Sequence, residues 1–140
     1  MKDRTFAIIK PDAVSSGHTG SIYDRIQKFN FNIIGAKLLQ MTQEQAEGFY
    51  GVHKERPFFK DLIKFMTSGP CMVLALKKEN AVESWRTAIG STNPEEAEEG
   101  TIRKDFATNV QENAVHGSDS NENAQKEIAF FFLDSELLSN

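Results

Sequence analysis

One cysteine, Cys71, stands in 140 residues. It cannot close an internal disulfide, so a reducing compartment is the simpler setting. A single thiol also gives no Cys/His set with zinc spacing. Glycine-rich phosphate motifs are missing too: no G-x-x-x-x-G-K-[ST] occurs, and no G-x-G-x-x-G follows a strand-like run. Any phosphate the chain handles must therefore be held by side chains. Positive charge is scarce, with 16 Lys and Arg against 20 Asp and Glu for a net charge of −4. That argues against specific nucleic-acid binding, which needs a basic face to displace counterions, but it leaves room for a local basic pocket. No stretch approaches the roughly 20 apolar residues of a membrane span. The opening run Phe6-Ala7-Ile8-Ile9, flanked by Asp3 and Asp12, is too short and too charged for a secretory signal. The expectation is a cytoplasmic protein with no membrane partner.

What remains is an ordinary soluble composition, 39% hydrophobic and 26% charged, at a length that suits one domain over 1–140. The apolar β-formers of 5–9 predict a buried strand, and Pro11 holds Lys10 extended at its end. After a turn at 17–19, Ile22, Ile26 and Phe29 mark one helix face. Ile33, Ile34, Leu38 and Leu39 predict a second strand within 31–41. Thr42 with Gln45 reads as a capping box opening a helix through Phe49 and Tyr50. Phe58, Leu62 and Phe65 predict a helix over 58–66, and the turn Ser68-Gly69-Pro70 ends it. The run 71–76 predicts a central strand. Asn80 with Glu83 predicts a capped helix burying Val82, Trp85 and Ile89. Residues 90–113 form a long segment with one possible helical turn at 101–106; such length within a domain is usually functional. A short strand at 114–116, a turn and N-cap at 117–120 and a helix over 124–131 close the chain. The order β-α-β-(αα)-β-α-β-α predicts an α+β sandwich on the ferredoxin-like plan, with helices covering an antiparallel sheet.

His116 sits in Val115-His116-Gly117-Ser118-Asp119, where a strand meets a tight turn. A neutral imidazole, the majority form near pH 7, can act as a nucleophile without a separate base. Gly117 would leave room for an incoming phosphate, and Ser118 and Glu127 could orient the ring. A buried, hydrogen-bonded structural histidine satisfies the same pattern. Arg86 and Arg103 could clamp phosphate oxygens bidentately, or be two solvated charges. Thr92, beside Asn93-Pro94, could donate a hydroxyl to phosphate or merely stabilise a turn. Phe58 and Phe59 could stack on a base or belong to the core. Lys10 and Asn113 carry the same ambiguity between ligand contact and exposure.

Together these residues resemble the nucleoside diphosphate kinase family, nearly end to end. Thr5-Phe6-Ala7-Ile8-Ile9-Lys10-Pro11-Asp12-Ala13-Val14 looks like its opening strand, and Phe49-Tyr50, His53 and Arg56-Pro57-Phe58-Phe59 like its nucleotide-gripping helices. Met66-Thr67-Ser68-Gly69-Pro70 resembles its hairpin. Thr92-Asn93-Pro94 and Gly100-Thr101-Ile102-Arg103 resemble its long loop, and Asn113 with His116-Gly117-Ser118-Asp119-Ser120 its active-site signature.

The resemblance implies that His116 takes the γ-phosphate of a nucleoside triphosphate, mainly ATP, and passes it to a nucleoside diphosphate in a ping-pong cycle. It implies Lys10 and Asn113 at the ribose hydroxyls, and Tyr50, His53, Arg86, Thr92 and Arg103 facing the phosphates. Phe58, Leu62 and Val110 would hold the base by apolar contact, without reading its edge. Magnesium would arrive on the nucleotide phosphates, with few or no protein ligands. A homo-oligomer, tetramer or hexamer, is also implied. The chain departs from the family's pattern at the polar stretch Ser15-Ser16-Gly17-His18-Thr19, at Glu98-Glu99 before Gly100, and in its short tail. Two other roles use the same pocket: a binding or regulatory protein, and phosphotransfer from His116 to another protein. An intact set of Lys10, Arg86, Arg103, Asn113 and His116 favours the enzyme.

Overall fold

Thr5-Phe6-Ala7-Ile8-Ile9 is apolar at all but one position because both faces of its strand are covered. The computed structural model describes residues 2–138. Strands β1 (Lys2–Ile9), β2 (Asn32–Leu39), β3 (Cys71–Glu79) and β4 (Val115–Gly117) form one sheet in the order β2-β3-β1-β4. Every neighbouring pair is antiparallel. Because alternate side chains point to opposite faces, Phe6, Ile8, Val73 and Ala75 join one core. Ala7, Ile9, Leu74 and Leu76 join the other. Continuous hydrophobicity in β1 and β3 is thus the mark of a sheet buried on two sides.

Helices supply both covers. Against Phe6 and Ile8 lie α3 (Gln43–Phe49), α4 (Phe59–Met66) and α7 (Asn121–Phe131), through Ala46, Ile63, Met66, Ile128 and Phe131. Against Ala7 and Ile9 lie α2 (Thr19–Lys28), α5 (Ala81–Ile89) and α6 (Ile102–Phe106), through Ile22, Ile26, Trp85, Ile89 and Ile102. This is the α+β, ferredoxin-like arrangement expected from the element order.

Local signals set most boundaries. Thr42 Oγ1 accepts from the Gln45 amide at 3.0 Å and Gln45 Oε1 from the Thr42 amide at 2.9 Å, completing the capping box. Ser120 accepts from the Asn123 amide, so α7 begins at Asn121, one turn before the apolar residues that announced it.

Four details differ from expectation. A further helix, α1 (Pro11–Ser15), follows β1 directly, since Pro11 suits the first helical position. Asn80 does not cap α5 with its side chain; it turns the chain in the left-handed region, φ 50°, which Asn tolerates better than most residues. Val82 is only half-buried, and Ala81 and Ala88 take its place in the core. The segment likened to a hairpin joins α4 to β3, a helix to a strand.

Candidate active site

Pairing of β4 with β1 sets Ile8 opposite His116. Cross-strand partners share a face, so the imidazole points toward α3 and α7. There its ring meets Phe6 and Phe49 edge-on, at centroid distances of 6.0 and 5.7 Å. Gly117, next along the strand, faces the other way. A Cβ there would lie 2.7 Å from the Trp85 ring. The absent side chain expected to admit phosphate instead admits the indole, whose N–H donates to the His116 carbonyl at 3.0 Å.

Glu127, nearly two turns into α7, lies 2.9 Å from His116 Nε2. An ionised carboxylate only accepts, so Nε2 carries the ring proton and Nδ1 keeps its lone pair. The same oxygen of Glu127 accepts from Ser118 Oγ at 2.7 Å, which fixes the carboxylate in turn. Burial lowers the His116 pKa below its ordinary value, and Glu127 opposes the shift while Lys10 and Arg103 add to it. The ring is therefore neutral near pH 7. It is also reachable, with 20% of the side chain exposed.

The exposed edge opens into a cleft of about 390 Å³ lined by Tyr50, His53, Phe58, Leu62, Arg86, His116 and Glu127. Arg86 also borders an adjoining hollow of about 370 Å³ with Gly90, Thr92 and Arg103. Seven of the candidate catalytic and nucleotide-binding side chains thus share one cleft, and two more, Thr92 and Arg103, lie across Arg86 from it. The Tyr50 hydroxyl is buried and lacks a hydrogen-bond partner among the described residues. Burial raises its pKa far enough that it stays a donor.

Lys10, Asn113 and Ser118 lie beneath this surface. Lys10 Nζ donates to Asn113 Oδ1 at 2.9 Å. Burial, then Arg103, lowers the Lys10 pKa to about 8, against the opposing pull of Asp12. Arg103 is more committed than its sequence context implied. Its guanidinium donates to the carbonyls of Asn113, Gly90 and Val115 at 3.3, 3.0 and 2.9 Å. Burial and the neighbouring Arg86 lower its pKa to about 10, so it remains cationic. Val110 is 53% exposed on its loop and is not among the residues lining either hollow.

Sequence reading missed several members. Val52, Asn123 and Lys126 line the cleft unannounced, beside Phe49, Gly117 and Asp119, which the sequence motifs already held. The Trp85 contact to the His116 carbonyl leaves no trace in local spacing. Ala114 adopts φ 71°, and the Val115 amide donates to the Asn113 carbonyl at 2.8 Å across it, the pattern of a γ-turn. Only a glycine would have announced such a turn in advance.

An oriented neutral imidazole that opens toward guanidinium groups, with no glycine-rich loop nearby, is the equipment of a phosphotransferase. Similarity to known proteins narrows the class. The chain is 57% identical over 136 residues to a nucleoside diphosphate kinase of Geotalea uraniireducens (strain Rf4), covering 97% of this chain and 99% of that one. Among solved structures, the Aquifex aeolicus nucleoside diphosphate kinase superposes with a TM-score of 0.96 at 43% identity, over 99% of this chain and 100% of that one. The halophilic enzyme from Halobacterium salinarum, solved in complex with CDP, gives 0.94 at 34% identity, over 100% of this chain and 93% of that one. The nucleoside diphosphate kinase family model matches residues 3–137, and the chain belongs to that family.

Proposed function

We propose that His116 carries the phosphoryl group between nucleotides. Nδ1 attacks the γ-phosphorus of a nucleoside triphosphate, mainly ATP, and the bond to the β,γ-bridging oxygen breaks with its electron pair leaving on the diphosphate. A second diphosphate then attacks the phosphohistidine, and Nδ1 recovers its lone pair. No proton crosses in either half, because Nε2–H stays directed at Glu127. The single observation carrying this reading is the 2.9 Å contact between Nε2 and Glu127, which leaves Nδ1 free. Incubation with γ-labelled ATP should leave an acid-labile, base-stable label that any nucleoside diphosphate removes. A label that survives acid, or none at all, sinks the reading.

The remaining roles are those the family resemblance implies. Arg86, Thr92, Arg103, Tyr50 and His53 receive the phosphates, and the two hollows meeting at Arg86 suit a charged chain of several groups. Phe58 and Leu62 give the base an apolar wall, with Val110 completing the contact once a nucleotide is bound. Apolar contact accepts every base, which suits an enzyme that balances nucleoside triphosphate pools. Lys10 and Asn113 serve the ribose hydroxyls. The Halobacterium salinarum relative, solved with CDP, supports a nucleoside diphosphate as ligand.

Magnesium fits as a passenger on the nucleotide. Glu127 is engaged by His116 and Ser118, which leaves Asp119 as the remaining carboxylate in the cleft. Among the described residues no group of three or more His, Cys, Asp or Glu forms a ready metal site. The ion would neutralise charge on the phosphate oxygens. The working unit is one domain over 1–140, cytoplasmic, assembled as a homo-oligomer, tetramer or hexamer. No helix among the described residues is long and apolar enough to cross a membrane.

Two measurements probe the electrostatics. Lys10 loses its charge as pH rises through about 8. The KM for nucleotide is therefore expected to climb above that pH, and the climb should vanish in Lys10→Met. An identical alkaline limb in that variant assigns it elsewhere. Glu127→Gln removes the charge that raises the His116 pKa, weakens the hydrogen bond that also raises it, and loosens the hold on its tautomer, since an amide can also donate. We expect kcat to fall by about tenfold to hundredfold, as for other residues that orient a reacting ligand. In the same variant, the His116 titration followed by NMR should move further down.

A further inference from the structure

We propose that Asp12 is a positioning residue for the phosphoryl carrier, acting through the backbone turn that leads into His116. This rests on His116 being the carrier. Ala114 stands two residues before it, at φ 71°, where a side chain is strained. Such a conformation persists only when its surroundings over-determine it, and here they do. Asp12 Oδ2 accepts the Ala114 amide at 3.1 Å, from 102 residues away in sequence. The Lys10 amide donates to the Ala114 carbonyl at 2.8 Å. Arg103 holds the carbonyls on either side, those of Asn113 and Val115. Of these clamps, the Asp12 contact is the one made by a side chain that neither lines the cleft nor has been given a role with substrate.

Position explains why an acidic residue follows Lys10-Pro11. Pro11 starts α1 just after β1, and Asp12 in its first turn reaches the turn that leads into the edge strand β4. Burial raises the Asp12 pKa, more than the Ala114 amide and Lys10 lower it. The site thus disfavours the charge it holds, which points to geometry rather than charge as the reason for the carboxylate. The consequence is a split in kinetic effect. Moving the acceptor should shift the turn, hence Nδ1, while the surfaces that bind the nucleotide stay in place.

Two substitutions separate geometry from charge. Asp12→Asn keeps an oxygen at the same reach and drops the charge; Asp12→Glu keeps the charge and pushes the oxygen one methylene further out. The proposal expects Asp12→Glu to lose roughly tenfold to hundredfold in kcat with KM for nucleotide little changed, as a misplacement of about 1 Å does. Asp12→Asn should recover kcat to within about fivefold of the parent, since a neutral acceptor replaces a charged one. Both are compared as folded protein, normalised by melting curves and by the amount of phosphohistidine formed at saturation. Equal kcat in the Glu variant and the parent overturns the proposal, as does an Asn variant no better than Glu, or a loss confined to KM. His116→Ala in the same assay keeps the two readings apart. If it turns over, the carrier assignment falls and this proposal with it. If it is dead while Asp12→Glu is fully active, only the role of Asp12 falls.

Discussion

His116→Ala is expected to lower kcat for phosphoryl transfer between nucleotides by on the order of 10⁴-fold or more, the scale of losing a nucleophile that works as part of a unit. No neighbour can substitute. Within the cleft, Glu127 is tied to Ser118, and the other imidazole, His53, packs tilted against Phe58 at a centroid distance of 5.4 Å. The fold should survive. The variant loses one hydrogen bond to Glu127 and two edge contacts with Phe6 and Phe49, together about 1–2 kcal/mol. Acid sensitivity gives an independent check. Because the folded His116 has a depressed pKa, the unfolded chain binds a proton there that the native state refuses. That contribution to stability is whole above the unfolded value of about 6.5 and is lost as pH falls from there through the lower folded value. The melting temperature of the variant should therefore decline less than that of the parent between about pH 7 and about pH 5. Retention of more than about a tenth of kcat in the variant defeats the carrier assignment.

How far the site could be read in advance depended on the distance over which each interaction acts. Thr42 and Gln45 reveal their capping box because both partners lie within one turn. The runs in β1 and β3 reveal themselves because burial on two faces needs only apolar residues. His116, Ser118 and Glu127 were legible as a group, because a short strand, a turn and a helix carry them in sequence. Gly117 was visible but misread: its missing side chain makes room for Trp85 on the far face, a neighbour 32 positions earlier that no local pattern identifies. Asp12 and Ala114 were not legible at all. Their contact spans the whole domain, and an alanine gives no warning of a positive φ. Asn80 failed for a related reason, since the residue favoured at caps is also favoured in left-handed turns.

Arg103→Ala should strike stability and catalysis together, and the two losses can be separated. Three backbone carbonyls, buried at Asn113 and Val115 and part-buried at Gly90, lose their donor at once. Each stranded acceptor costs about 1–3 kcal/mol, but the sum is reduced because the guanidinium is itself held against burial and against Arg86. A net loss of about 2–4 kcal/mol follows, visible as a melting temperature lower by roughly 5–15 °C for a chain of this size. Catalytic efficiency per folded molecule should fall by on the order of 10²–10³, since a cation is withdrawn from beside the phosphates. Arg103→Lys tests the geometry. An ammonium restores charge but not the planar fork, and it cannot serve three carbonyls set around a guanidinium. It should recover part of the efficiency and little of the melting temperature. A lysine variant with full stability would show that charge alone holds the segment. The fork's importance lies in what it joins: Gly90 begins the long segment that returns to β4, and Asn113 and Val115 end it. One side chain therefore closes that excursion and, with the turn at Ala114, sets the height at which His116 meets the cleft.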